Sequence, residues 1–173
     1  MNATLAAWNA ADERAAFAAM LACCGARRWA EAMIALRPIA GVQELSEAAD
    51  RMWSTMEEAD WLEAFVCHPR IGERNAAQAS GHQSGQAGAW SRQEQSSTDA
   101  AHERVLAELA QGNLQYEQRY GFTYIVCATG RSAEEMLAIL KRRLDSDRAT
   151  ELCEAAEQQR QIMQIRLGKW LVE

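Results

Sequence analysis

Only two prolines, Pro38 and Pro69, interrupt 173 residues. Proline is the residue least compatible with a helix interior, because it lacks an N–H and its ring clashes with the preceding turn. A chain with so few prolines, dominated by alanine, the strongest helix former, is predicted to be all-α. Its 49% apolar content supports a real core, and its length suits one domain. The expectation is a single-domain helical bundle of about seven to eight helices over residues 1–173, with one irregular extended segment near 122–129.

Apolar spacing places the elements. Residues 10–24 read as a first helix with a stripe of Ala16, Phe17, Met20, Leu21 and Cys24, punctuated by Gly25. Further helices are predicted over about 27–36, 42–56 and 58–66, with Asp60 a solvated side chain rather than a cap. The stretch 73–90, "ERNAAQASGHQSGQAGAW", loses the hydrophobic period and reads as a polar, flexible loop. Helical pattern resumes at Ser91 and runs to Gly121, with Val105, Leu106, Leu109, Leu114 and Tyr116 inward. "FTYIVCAT", 122–129, is β-branched and aromatic and so should be extended. One isolated strand cannot make a stable sheet, so it reads as a buried connection. Ser132 is a good N-cap, with Glu134 and Glu135 in the first turn and Lys141, Arg142 and Arg143 in the last, an order that complements the helix dipole. A final helix, about 147–171, turns Leu152, Ala156, Ile162, Ile165 and Leu167 inward.

Charge narrows the function classes. A net charge of -6 and a pI near 5.2 oppose nucleic-acid binding. No apolar run reaches membrane-span length, no basic region followed by an apolar stretch opens the chain, and "KWLVE" carries no targeting address, so a cytoplasmic protein is expected. Cys23, Cys24, Cys67, Cys127 and Cys153 are odd in number and without paired spacing, which argues against a disulfide framework. With His68, His82 and His102 scattered, no set of three or four zinc ligands converges, and neither metal nor organic cofactor is expected.

Several residues carry chemistry on local grounds. Pro69 forces the helix before it to stop and restricts His68 to extended geometry. A histidine at such a break projects readily into a cleft, and its ring is suited to proton transfer near neutral pH. Ser91 and Glu94 have the S-x-x-E spacing of a capping box, which the residues alone favour, although helix-start amides also suit an anionic ligand. Irregular backbone at 122–129 has N–H and C=O groups that need partners, and a polar heterocycle could supply them. Arg166, between Ile165 and Leu167, is placed for partial burial, where it needs a carboxylate partner or could clamp a substrate carboxylate or carbonyl.

Taken in order, "HPRIGE", "SRQEQ", "GNLQYEQRYGFTYIVCATGR" and a late "IRL", preceded by Phe17–Leu21 and Arg37-Pro38, resemble the 2-oxo-4-hydroxy-4-carboxy-5-ureidoimidazoline (OHCU) decarboxylase family over nearly the whole chain. The resemblance implies an all-helical, cofactor-free, usually homodimeric enzyme acting on that small-molecule ureidoimidazoline and forming (S)-allantoin. It implies that His68, Glu94 and Arg166 are catalytic. It implies further that Pro69, the segment Ser91, Arg92, Gln93, Glu94 and Gln95, and the backbone of Tyr124, Ile125, Val126, Cys127 and Ala128 bind substrate with Arg166. The chain departs from the family in "HPRIG" for "HPDLA", in "YGFTY" for "FGFPF", and in its longer polar loop. Arg70, Glu73 and Arg74 read as surface charges. Two rivals remain: a non-enzymatic acidic helical interaction domain, and a hydrolase of a related cyclic amide with Cys67 as nucleophile.

Overall fold

The computed structural model describes residues 2–71 and 103–172. Among these the chain forms eight α-helices and no strand, so it is all-α. They are α1 Ala3–Ala10, α2 Glu13–Cys24, α3 Arg27–Ala35, α4 Val42–Trp53, α5 Glu58–Val66, α6 Glu103–Tyr120, α7 Ala133–Arg143 and α8 Arg148–Trp170. Residues up to Ala64 together with those from Arg160 form one compact unit, and Phe65–Gln159 form a second.

In the first unit, the helix expected over 10–24 begins only at Glu13, as α2, and a further helix precedes it. Asp12 accepts the Ala15 N–H at 2.8 Å and so caps α2, and the residues before it form α1, capped by Asn2. The Asp12 carboxylate makes a cap more favourable than continuation through it. Gly25 ends α2 at φ 89°, a left-handed conformation that glycine adopts without steric cost. Arg37 donates to the Trp8 and Ala11 carbonyls, both at 2.8 Å, and lies over the Trp8 ring. Trp8 packs edge-to-face on Trp170, and Trp29, fully buried, donates its indole N–H to the Ala49 carbonyl at 3.0 Å. Asp60 is not solvated as expected: its side chain is 13% exposed, accepts the Glu57 N–H at 2.9 Å and pairs with Arg28 at 3.0 Å. It therefore supplies the capping contact at the start of α5, because a third-position carboxylate reaches back to the orphan amide there.

In the second unit, α6 and α7 approach closely at Gly112, where a Cβ would lie 2.5 Å from Leu140 Cδ2. Leu114, expected inward, is 45% exposed, and Gly112 and Asn113 take the buried face instead. Gly121 ends α6 at φ 81°. Residues 122–129 follow as a buried connection without regular structure, as expected. Ser132 caps α7 in a full capping box with Glu135. The predicted loop 73–90 lies outside the described residues.

Candidate active site

The turn bearing His68 is held by short local contacts. Helix α5 stops at Val66, and the His68 N–H donates to the Phe65 carbonyl at 3.1 Å. Phe65 is buried and packs on Phe122 with ring centroids 5.6 Å apart, which ties this turn to the start of the 122–129 connection. His68 and Pro69 are half-buried. The chain beyond them is fastened to α6. Arg70 pairs with Glu117 through two hydrogen bonds, Nε to Oε1 at 2.6 Å and Nη2 to Oε2 at 2.7 Å. The Ile71 carbonyl accepts from Asn113 Nδ2 at 2.6 Å. Arg70 is therefore no mere surface charge; Glu117 lies one turn beyond Asn113 and meets it in the two-pronged geometry guanidinium favours. Glu73 and Arg74 lie outside the described residues.

The connection is held from its other side by buried polar side chains. Arg143 donates from Nη1 to the Ile125 carbonyl at 2.7 Å and from Nε to Glu151 Oε1 at 2.6 Å. Glu151 also accepts from the Tyr116 hydroxyl, and the Arg143 guanidinium lies 5.0 Å from the Tyr124 ring centroid. Gln158 Oε1 accepts the Cys127 N–H at 2.9 Å, and the Ala128 carbonyl accepts from the Arg131 N–H at 3.1 Å. The sequence expectation that a ligand would satisfy this backbone thus needs correction at three groups, which the protein itself satisfies. Tyr124 and Val126 differ: both are buried, and among the described residues neither the N–H nor the C=O of either makes a hydrogen bond. Buried peptide groups are rarely left so.

Electrostatics in this cluster follow from burial. Desolvation pushes the Tyr116 phenol far above its usual range, with Arg143 opposing and Glu151 adding to the rise. Desolvation does the same to Tyr124. Burial works against the Arg143 charge, yet the hydrogen bond and negative charge of Glu151 outweigh it, and the guanidinium is held above its ordinary value.

The predicted site residues are therefore distributed as follows. His68, Pro69 and Tyr124–Ala128 belong to the second unit, linked there by the Phe65–Phe122 contact. Arg166 belongs to the first, on α8, and at 1% exposure is fully rather than partly buried. Ser91, Arg92, Gln93, Glu94 and Gln95 lie outside the described residues. Among the described residues no three His, Cys, Asp or Glu side chains group as metal ligands, and no helix is long and apolar enough to cross a membrane. Arg143, Glu151, Asn113 and Gln158 escaped the sequence reading. Arg143 was assigned to the helix dipole, yet Met136, Leu140 and Arg143 are spaced by four and three, which puts it on the buried face of α7. Glu151, Ala155 and Gln158 repeat that spacing on α8.

An all-α chain with a proline-stopped histidine turn and a buried irregular segment has close counterparts among known proteins. Residues 9–168 match the family model described as OHCU decarboxylase, and the chain belongs to that family. It is 34% identical over 152 residues to the uric acid degradation bifunctional protein TTL of Arabidopsis thaliana, a match covering 85% of this chain and 44% of that protein. It is 29% identical to the 2-oxo-4-hydroxy-4-carboxy-5-ureidoimidazoline decarboxylase of Amia calva, over 76% of this chain and 73% of that one. Among solved structures it resembles an OHCU decarboxylase crystallised in the presence of (S)-allantoin, with a TM-score of 0.74 and 32% identity, covering 88% of this chain and 96% of that one. An (S)-allantoin synthase structure shares the fold at a TM-score of 0.69 and 16% identity, over 96% of this chain and 53% of that one.

Proposed function

We propose that this chain is a carboxy-lyase that decarboxylates 2-oxo-4-hydroxy-4-carboxy-5-ureidoimidazoline to (S)-allantoin without a cofactor, the last step of urate degradation to allantoin. The observation that carries the reading is the family match across residues 9–168. The substrate bears a carboxylate and a hydroxyl on one ring carbon. Loss of carbon dioxide leaves an electron pair there, which moves into the C=N bond of the adjacent, ureido-bearing ring carbon. With the hydroxyl still on the first carbon, the result is an enol- or enolate-like species that is protonated at the ureido-bearing carbon. The enzyme must hold the carboxylate out of conjugation, stabilise the developing charge and deliver a proton to one face.

Fixed donors where charge develops are usually the largest catalytic contribution. In this proposal Arg166 and backbone amides within 124–128 are those donors. Glu94 accepts a hydrogen bond from the substrate hydroxyl and orients the ring, with Ser91, Arg92, Gln93 and Gln95 lining its segment. His68 is the general acid/base, backed by Pro69; a positioned proton donor of this kind contributes about 10²–10⁴-fold. The same proposal has the protein working in the cytoplasm as a homodimer.

The test generates the ureidoimidazoline in situ from urate and follows product by circular dichroism. Optically active allantoin is expected to form faster than in a protein-free control, and His68→Asn and Glu94→Gln are expected to fold yet lose nearly all turnover. Racemic product at the background rate overturns the proposal in favour of a non-enzymatic interaction domain. Full activity in either variant overturns its assignment.

A further inference from the structure

A buried ion pair is weak grounds for stability, since well-packed apolar replacements are often equally stable. Arg143 and Glu151 are 3% and 1% exposed, and the proposed chemistry gives neither a role. What the pair does that apolar side chains could not is aim a hydrogen bond. The guanidinium is fixed in three directions: Nε to Glu151, Nη2 to the Tyr116 hydroxyl at 3.3 Å, and Nη1 to the Ile125 carbonyl. The Gln158 amide is fixed in two. Its Nε2 donates to Glu154 Oε1 at 3.1 Å while its Oε1 accepts the Cys127 N–H, so both partners demand the same orientation of the amide.

The two anchored peptide groups belong to residues two apart. Extended backbone presents the peptide groups of successive residues to opposite sides. With the Ile125 C=O and the Cys127 N–H anchored, the N–H and C=O of Val126, like those of Tyr124, have no partner among the described residues, the pattern such alternation produces. A donor and an acceptor on one residue suit a ligand group that itself pairs an N–H with a C=O, as a cyclic ureide does.

We propose that Arg143, Glu151 and Gln158 are positioning residues: they grip Ile125 and Cys127 from α7 and α8 and thereby set the peptide groups of Val126 for substrate. This rests on the assignment of 124–128 as a substrate-binding segment. None of the three touches the reacting atoms, so their loss acts on binding geometry.

The decisive experiment compares steady-state kinetics of the full chain, with substrate generated in situ and the protein-free rate subtracted. Gln158→Met keeps the side-chain volume and removes the acceptor for Cys127. KM is expected to rise about fivefold, the effect of one lost neutral hydrogen bond, with kcat changed much less. The double variant Glu154→Gln with Gln158→Glu exchanges donor and acceptor while keeping both hydrogen bonds, and is expected to return KM to near the wild-type value. Arg143→Lys keeps the charge but loses the fork and is expected to raise KM likewise. Destabilisation alone lowers the active fraction and hence kcat, and leaves KM where it was. An unchanged KM in an active Gln158→Met enzyme, or a double variant with KM no lower than the single one, overturns the positioning role alone. Absence of wild-type turnover overturns it together with the enzymatic proposal.

Discussion

Burial governs what Tyr116 and Tyr124 can do. Both phenols are raised far above the ordinary tyrosine value of 10.0, chiefly by desolvation. A folded pKa above the unfolded one means that the stabilisation is complete below pH 10 and is lost as pH rises beyond it. On alkaline titration, the phenolate absorbance of these two residues should therefore rise together with loss of helical circular dichroism. If both ionise near pH 10 with the helices intact, the network with Arg143 and Glu151 is not as described. At this scale the sequence was most informative where a residue breaks local structure. His68 before Pro69 was legible because proline leaves few conformations, and the buried connection because of its β-branched, aromatic run. Arg143 and Asp60 were misread because a charged side chain near a helix end has a plausible solvated role, and only the partner across the fold, Glu151 or Arg28, reveals burial. The Ser91–Gln95 segment lies outside the described residues, so its capping and substrate readings are left to the Glu94→Gln experiment.

Helices α6 and α7 meet where a side chain is missing. At Gly112, alanine would improve helix propensity by about 1 kcal/mol. Its Cβ, however, would lie 2.5 Å from Leu140 Cδ2 and 3.3 Å from Cγ, and Leu140 is fully buried. Overpacking of that kind costs about 1–3 kcal/mol, so Gly112→Ala should be destabilising by up to about 2 kcal/mol in denaturant unfolding. A stabilised variant would mean that the leucine turns aside freely. The close approach also explains why Leu114 was misplaced: apolar character put it inward, whereas the helix rotates to bring its glycine and Asn113 against neighbours. Helix ends were legible where capping chemistry is strong, as at Gly25, Gly121 and Ser132. Helix α1 was not anticipated, and α2 was begun at residue 10 rather than after its Asp12 cap because the alanines before Asp12 read as part of the same helix.

For the molecule as a whole, composition foretold the all-α class but left no trace of the division into two compact units. The divisions fall between Ala64 and Phe65 and between Gln159 and Arg160, inside α5 and α8, where no linker composition exists to mark them. The proposed homodimer is a claim at this scale. Sedimentation equilibrium near neutral pH, where the net charge of -6 favours solubility, should give twice the chain mass of 19.2 kDa. A single-chain mass across the working concentration range would dispose of the dimer. The unpartnered peptide groups of Val126 carry a last consequence, one about genetic information. Every residue except proline has the same N–H and C=O, so a binding surface made of main chain is written in no particular codon. Mutational scans at position 126 would report how well a side chain packs and pass over the main-chain atoms proposed to meet the ligand. Drift in the sequence could proceed there without drift in specificity, provided that the distant arginine and glutamine holding the backbone stay in place.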